Sequence, residues 1–185
     1  AAVPLLLQSA QNYISLMESQ AKQHNVALIL GIPIQQGFSY YNALIVLGNG
    51  HGIYYKRHLV PFGEYVPLES YLRGLIGIFN LPMSAFSAGD AHQQELQAAG
   101  INFAAFICYE VAYANLVSND LPQAQLLVNI SDDAWFAHSF ALAQQLQMAQ
   151  VRAQETGRYA LISTNDGLTA IISPQGKIIS QVPPY

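Results

Sequence analysis

The sequence predicts an α/β sandwich with mixed β-sheets. Short apolar runs of strand length alternate with amphipathic segments of helical period, which is typical of sheets covered by helices. Several strand candidates are joined by short turns that contain glycine, as in antiparallel hairpins. Since strand–helix–strand units give parallel pairs and hairpins give antiparallel pairs, we expect both kinds in one fold. At 185 residues, 52% of them hydrophobic, the chain can form one domain with a sizeable core.

The first third predicts one helix and three strands. Ser9 is a candidate N-cap for a helix that runs to about Gln23, and four of its residues share one face: Tyr13, Leu16, Met17 and Ala21. Three buried strands follow, with the turn Gly48-Asn-Gly50 between the last two; they span Val26–Gly31, Tyr41–Leu47 and Gly52–Lys56.

The rest of the chain continues the alternation. Two loops, at 58–67 and 76–90, flank a predicted short helix at 68–75. A hairpin crosses Ala99-Gly100 between its strands, and further strands are expected over 125–130, 159–163, 168–172 and 177–179. Two more helices are predicted, one from Cys108 to about Asn119 and one from about Phe140 to Gly157, with a loop at 131–137 before the second.

Composition excludes several classes of protein. Charged residues make up only 10% of the chain, against roughly 25% in average globular proteins. A chain so poor in charge either buries most of its surface or lies against something apolar. The net charge of −4 comes from scattered residues, so we expect no nucleic-acid partner. One cysteine excludes an internal disulfide, and no Cys, His and carboxylate cluster has metal-ligand spacing.

The ends of the sequence suggest a piece of a longer protein. It begins at Ala1 without a methionine and shows no basic segment followed by an apolar one, as a signal peptide would. No run reaches the roughly 18 apolar residues that a membrane-spanning helix needs. We therefore interpret residues 1–185 as a single domain of a larger protein.

The single cysteine, Cys108, directly follows the apolar run Ile101–Ile107. A residue between a buried strand and a helix stands at the sheet edge, near the first free N–H groups of that helix. Such amides favour the thiolate, which is the nucleophilic form of cysteine. A lone cysteine is more often a small buried hydrophobe, so position alone leaves both interpretations open.

A second candidate segment is the loop from Tyr55 to Pro67. It places Lys56 at a strand end and Glu64 in a stretch stiffened by proline and glycine. A lysine near a thiol can stabilise both a thiolate and an oxyanion. The alternative is an exposed lysine paired with a loop carboxylate, which is common and weak.

A third candidate is Ser131–Phe136, which follows a buried strand and holds the only tryptophan. Two adjacent aromatic residues, Trp135 and Phe136, could wall an apolar pocket. Tryptophan is also common in cores and interfaces, and that alternative remains open.

Three motifs in this order resemble the nitrilase, or carbon–nitrogen hydrolase, superfamily. They are Lys56-Arg-His-Leu-Val-Pro-Phe-Gly-Glu64, Ile107-Cys-Tyr-Glu110 and Asn129-Ile-Ser-Asp-Asp-Ala-Trp-Phe136. Three further stretches make the sequence similar to the membrane branch of that superfamily, the apolipoprotein N-acyltransferases: Leu81–Ser87, Ala149–Glu155 and Ser163–Gly167. The resemblance covers essentially the whole chain.

The resemblance implies a nitrilase-like αββα sandwich and a Glu–Lys–Cys triad. Cys108 matches the nucleophile, Lys56 the triad lysine and Glu64 a second essential glutamate. The following positions match supporting or substrate-binding residues of the family: Tyr109, Glu110, Asn42 and Trp135, with Phe136, Phe79 and Phe86 as aromatic candidates beside them.

The triad glutamate of the family lies in a Trp-Pro-Glu motif. Ala1-Ala-Val-Pro4 matches the residues that follow it, so the resemblance implies an N-terminally truncated domain whose base precedes residue 1. We expect the isolated chain to be inactive for that reason. Asp132 and Ala137 stand where the family usually has Asn and Gly, which affects loop detail.

The implied activity is acyl transfer. A phospholipid would acylate Cys108, and the thioester would pass the acyl group to the N-terminal amine of a diacylglyceryl-cysteine lipoprotein, without a cofactor or metal. The resemblance also implies a bacterial inner-membrane protein whose catalytic domain faces the periplasm. The apolar loop Ile76–Phe86 suits an acyl-chain gate or, equally, a lid packed on the core.

The sequence leaves two alternatives open. A soluble amidase or nitrilase would use water as the acceptor, and an inactive module would bind lipid or protein without chemistry. A Cys–His hydrolase fits less well, because no histidine lies in a recognisable partner motif.

Overall fold

A computed structural model describes residues 3–67, 86–119, 121, 123–136 and 139–182. The predicted helix at 68–75 and most of the loop at 76–90 lie outside this range. Among the described residues, no helix combines the length and the apolar character needed to cross a membrane.

A three-stranded antiparallel sheet comes from the N-terminal third, with the order β1-β2-β4. Its strands are β1 (Ala27–Gln36), β2 (Ser39–Gly48) and β4 (Ile53–Tyr55). β1 and β2 form a hairpin through Gly37, whose φ of +58° is readily adopted by glycine. Both hairpin strands are longer than predicted, because their ladder continues to the two-residue turn.

The second sheet has seven strands in the order β10-β9-β8-β7-β6-β5-β3. They are β3 (Gly50–His51), β5 (Leu96–Ala98), β6 (Ile101–Ile107), β7 (Leu126–Asp132), β8 (Tyr159–Asn165), β9 (Ala170–Ile172) and β10 (Ile178–Gln181). Strands β6, β7 and β8 run parallel at the centre, and the other pairs are antiparallel. Because β6, β7 and β8 are parallel, their carboxyl ends lie together at one edge of the seven-stranded sheet.

Three α-helices are described: α1 (Gln11–Gln23), α2 (Ala114–Asn119) and α3 (Ala141–Thr156). The prediction of Ser9 as N-cap is wrong, since Ala10 occupies that position without a side-chain bond. The single helix predicted after Cys108 is also wrong. A 3₁₀-helix, Cys108–Ala112, ends where Tyr113 turns extended, and α2 begins after it. A second 3₁₀-helix, Asp133–Phe136, replaces part of the predicted loop.

The core consists of three apolar clusters, one between each pair of neighbouring layers. One cluster packs α1 on the outer face of the three-stranded sheet, with Ile14 and Met17 against Ile32 and Ile45. A second lies between the sheets and includes Leu44, Phe103 and Val128. The third packs α3 against the seven-stranded sheet, including Leu146, Ala149, Phe106 and Ile162. The layer order is therefore helix, sheet, sheet, helix, which confirms the predicted α/β sandwich with mixed sheets.

Candidate active site

A cavity of about 600 Å³ opens where the carboxyl ends of β6, β7 and β8 face the three-stranded sheet. The three main sequence candidates, Lys56, Glu64 and Cys108, all line it. Its other walls are largely apolar and come from both sheets, including Ile29, Ile32, Ala43, Ile107 and Ile130. The cavity thus combines a thiol, an amine and a carboxylate with apolar surroundings.

Cys108 stands at the end of β6 as the first residue of a 3₁₀-helix. Its φ is +58°, a left-handed conformation that is strained for a residue with a side chain. A strained strand-to-helix turn of this kind exposes a nucleophile at a sheet edge. The cysteine is half-buried and borders the cavity, so it is not the fully buried hydrophobe of the alternative interpretation.

Lys56 directly follows β4 and is only 2% exposed. Its Nζ atom lies 2.9 Å from Oε1 of Glu64 and 5.6 Å from the centre of the Tyr109 ring. The alternative of an exposed surface lysine is therefore wrong, because the ammonium is removed from solvent and held by a carboxylate and an aromatic face.

Glu64 is held by three groups, two from its own loop and one from β2. Besides the Lys56 ammonium, its Oε1 accepts a hydrogen bond from the side-chain amide of Asn42 on β2. Its Oε2 accepts from the backbone N–H of Val60 at 2.7 Å. Since both oxygens are bonded, the carboxylate is fixed, and it fixes Lys56 in turn.

Glu110 joins the two motif segments at the site. This fully buried carboxylate accepts bonds of 2.8 Å from the backbone N–H groups of Arg57, His58 and Ile107, and one of 3.0 Å from the Tyr54 hydroxyl. Burial raises the pKa of Glu110, whereas the three N–H groups oppose that rise by stabilising its charge. The loop after Lys56 is thereby tied to the strand that carries Cys108.

Tyr109 reinforces the same connection. Its hydroxyl donates to the carbonyl of Leu59 at 2.9 Å, and its ring packs against the rings of His58 and Tyr113. Burial raises the pKa of Tyr109, so the phenol keeps the proton that it donates.

The aromatic candidates divide between described and undescribed parts of the chain. Phe86 and Phe136 line the cavity, as do Asp132 and Asn42. Trp135 belongs to the 3₁₀-helix Asp133–Phe136. Phe79 and Ala137 lie outside the described residues.

Sequence reasoning missed Asn129 and Tyr54 as contributors to the site. Asn129 is a buried amide inside the apolar run of β7, and it donates to the carbonyl of Cys108 at 2.9 Å. A polar residue in a buried strand was the available signal. Nothing in the sequence pointed to Tyr54, whose partner Glu110 is 56 residues away.

Comparison with solved structures supports the fold. Saccharomyces cerevisiae Nit3, a nitrilase-superfamily member, matches with a TM-score of 0.71 and 16% identity over 94% of this chain and 61% of its own. A mutant of the Nesterenkonia AN1 amidase, from the same superfamily, matches with a TM-score of 0.69 and 17% identity over 96% of this chain and 65% of its own. At such identities, the likeness concerns the fold.

Curated relatives are much more similar in sequence. The apolipoprotein N-acyltransferase of Pseudomonas syringae pv. tomato is 48% identical over 100% of this chain and 37% of its own length. That of Coxiella burnetii is 49% identical over 99% of this chain and 38% of its own. The chain thus spans little more than a third of these relatives.

The family model for carbon–nitrogen hydrolases matches residues 5–185. This match covers nearly all of the sequence, including the three motifs that meet at the cavity. The chain therefore belongs to the carbon–nitrogen hydrolase family.

Proposed function

We propose that the protein containing this chain is an apolipoprotein N-acyltransferase, and that residues 1–185 form its catalytic domain. One observation carries the proposal: Cys108, Lys56 and Glu64 line a single, mostly apolar cavity. This site occurs in a chain 48% identical to an enzyme of that name. The proposed activity belongs to the longer protein.

In the first half-reaction, the Cys108 sulfur attacks the ester carbonyl of a phospholipid. A carboxylate of the longer protein, the glutamate that the family resemblance implies, takes the thiol proton. The carbonyl oxygen becomes an oxyanion, stabilised by the Lys56 ammonium and by a backbone N–H near Cys108. Collapse of the tetrahedral species breaks the ester bond, and the carboxylic acid returns its proton to the departing lyso-phospholipid alkoxide.

In the second half-reaction, the α-amine of a diacylglyceryl-cysteine attacks the thioester. The same carboxylate takes the proton that leaves the amine, the carbon–sulfur bond breaks as the amide forms, and the departing Cys108 sulfur takes the proton back. Because one product leaves before the second substrate reacts, ping-pong kinetics follow.

The ion pair of Lys56 and Glu64 has a specific role in this scheme. An ammonium that is already buried and bonded needs no reorganisation when the oxyanion develops, and its charge acts strongly in surroundings of low polarity. Asn42 and Val60 hold Glu64, so they set the position of Lys56 indirectly.

The apolar walls of the cavity suit an acyl chain. Phe86, Phe136, Ile29 and Ile130 offer such surface in the cavity, whereas a small amide substrate would need less of it. We place the domain at the periplasmic face of a bacterial inner membrane, where phospholipid donor and lipoprotein acceptor meet.

The test is to incubate the full-length protein with phospholipid radiolabelled in its acyl chain, then digest it and locate the label. We expect a hydroxylamine-sensitive thioester on Cys108 that is discharged as amide when a diacylglyceryl peptide is added. Release of free fatty acid without amide would indicate a hydrolase that uses water. Absence of label on Cys108, with lipid still bound, would indicate a binding module.

A further inference from the structure

We propose that Asn129 is a positioning residue that aims the backbone N–H of Tyr109 into the cavity as an oxyanion donor. The proposal deepens the proposed function and rests on it for the acylation of Cys108. The structure joins Asn129 to the nucleophile through one bond, from its side-chain Nδ2 to the Cys108 carbonyl oxygen at 2.9 Å.

The direction of this bond follows from the strand. Along β7, side chains alternate between the two faces of the sheet. Leu127 packs in the helix-side cluster, Val128 packs between the sheets, and Ile130 lines the cavity. Asn129 therefore shares the helix-side face with Leu127, and it draws the Cys108 carbonyl away from the cavity.

The orientation of the next N–H follows from peptide geometry. The bond between Cys108 and Tyr109 is planar and trans, so its C=O and N–H point in opposite directions. With the carbonyl directed to the helix-side face, the Tyr109 N–H is directed to the cavity side. This N–H belongs to the first turn of the 3₁₀-helix, where amides have no partner within the helix.

The backbone at Cys108 needs such a restraint. Its φ of +58° is unfavourable for a residue with a side chain, and rotation of the following peptide would turn the carbonyl to the cavity and the N–H away. The Asn129 bond opposes that rotation.

The buried amide of Asn129 lowers the stability of the folded chain. Its side chain is 1% exposed, and its Oδ1 atom finds no hydrogen-bond partner among the described residues. A buried amide with an unsatisfied oxygen is a burden on stability. A leucine of nearly the same size would avoid it, so the amide is better explained by its contact with Cys108 than by packing.

Two reactions of Cys108 distinguish this positioning role from a general effect of Asn129 on the reactivity of the thiol. Acylation by an activated ester forms an oxyanion, whereas alkylation by iodoacetamide displaces iodide from carbon without one. A misdirected Tyr109 N–H should therefore slow acylation only. Neither reaction needs a lipoprotein or a phospholipid, so the test stands apart from the identity of donor and acceptor.

The experiment measures both rate constants in the full-length protein, following p-nitrophenolate release from an acyl p-nitrophenyl ester and carbamidomethylation of Cys108 by mass spectrometry. For Asn129→Leu and Asn129→Asp, we expect acylation to fall by about tenfold to a hundredfold, which is less than the roughly hundredfold to thousandfold cost of removing an oxyanion donor altogether. We expect alkylation to change by less than about threefold, because access to the thiol is unaltered. Ile162→Ala is the matched control, since Ile162 lies opposite Asn129 on β8 and is also buried in the core.

Equal loss of both reactions would overturn the proposal, because Asn129 would then act on the thiol itself. Unchanged acylation would overturn it as well. If Asn129→Leu does not fold, the Asp variant decides, since it keeps the shape and replaces the donor by an acceptor. Failure of both variants to fold, with Ile162→Ala folded, would assign Asn129 to structure alone.

Discussion

The Lys56 ammonium and the Glu64 carboxylate form an ion pair of 2.9 Å, with Lys56 2% and Glu64 13% exposed. The pair is enclosed by the cavity wall, and Asn42 and the Val60 N–H complete its bonds. A second ion pair, Lys22 with Glu18 at 2.6 Å, lies in α1 with 65% and 31% exposure. The chain therefore offers a buried pair and an exposed pair for comparison.

Lys56→Met should destabilise the protein by about 3–5 kcal/mol, because Glu64 would keep a buried charge without its cation. Lys22→Met should change stability by less than about 1 kcal/mol, since exposed pairs contribute little. Urea unfolding of both variants checks the difference. A similar small effect at both positions would show that water enters the site and compensates Glu64.

Lys56→Met should also lower the rate of Cys108 acylation more than it weakens binding of the phospholipid donor. In the proposed mechanism, the oxyanion that Lys56 stabilises develops only as the transition state forms. Single-turnover acylation measured over a range of donor concentrations separates the two quantities. A change confined to the apparent dissociation constant would instead make Lys56 a substrate-binding residue.

Cys108→Ser should abolish acyl transfer in the full-length protein. An alcohol is far less acidic than a thiol, and the proposed mechanism uses a carboxylate base and not a serine–histidine arrangement. Cys108→Ala gives the background rate. Serine turnover above about a tenth of wild type would refute the assignment of the nucleophile, since loss of such a group costs far more.

Glu110→Gln should lower the free energy of unfolding by about 2–3 kcal/mol. Four donors converge on the two carboxylate oxygens, and an amide group in their place turns one acceptor into a donor facing other donors. Glu95→Gln, at an exposed position, is the control. Acyl transfer should fall with stability, because Glu110 ties the loop after Lys56 to the end of β6.

Phe86→Ser should impair use of a long-chain donor more than it lowers the melting temperature. The residue lines the cavity, and its backbone is held by a bridge to Tyr40 and a hydrogen bond to the Glu64 carbonyl. Phe38→Ser, at a fully exposed position on the hairpin turn, is the control. Activity with a short-chain ester should be largely kept. If the short-chain activity, the long-chain activity and the melting temperature all fell together, Phe86 would be a residue of the hydrophobic core and not of the acyl-chain site.

The amino-acid sequence by itself determined the class of fold and the main candidates for catalytic residues. Apolar runs with turn residues predicted the strands of both sheets except β3, whose two residues the sequence assigned to a turn and its flank, since hydrophobic period and turn chemistry are local properties. Cys108 was recognisable because a strand ends beside it, and Lys56 and Glu64 because they share a motif-bearing loop. These features depend on neighbours within a few residues.

The tertiary structure alone decided how those groups are held. The contacts of Glu110 with Tyr54, of Glu64 with Asn42 and of Asn129 with Cys108 join positions 21 to 56 residues apart. Likewise, the 3₁₀ geometry and positive φ at Cys108 follow from how this turn is bonded to neighbouring elements. Local propensity does not encode such contacts, because each depends on distant segments that are brought together only when the strands pair and the two sheets pack.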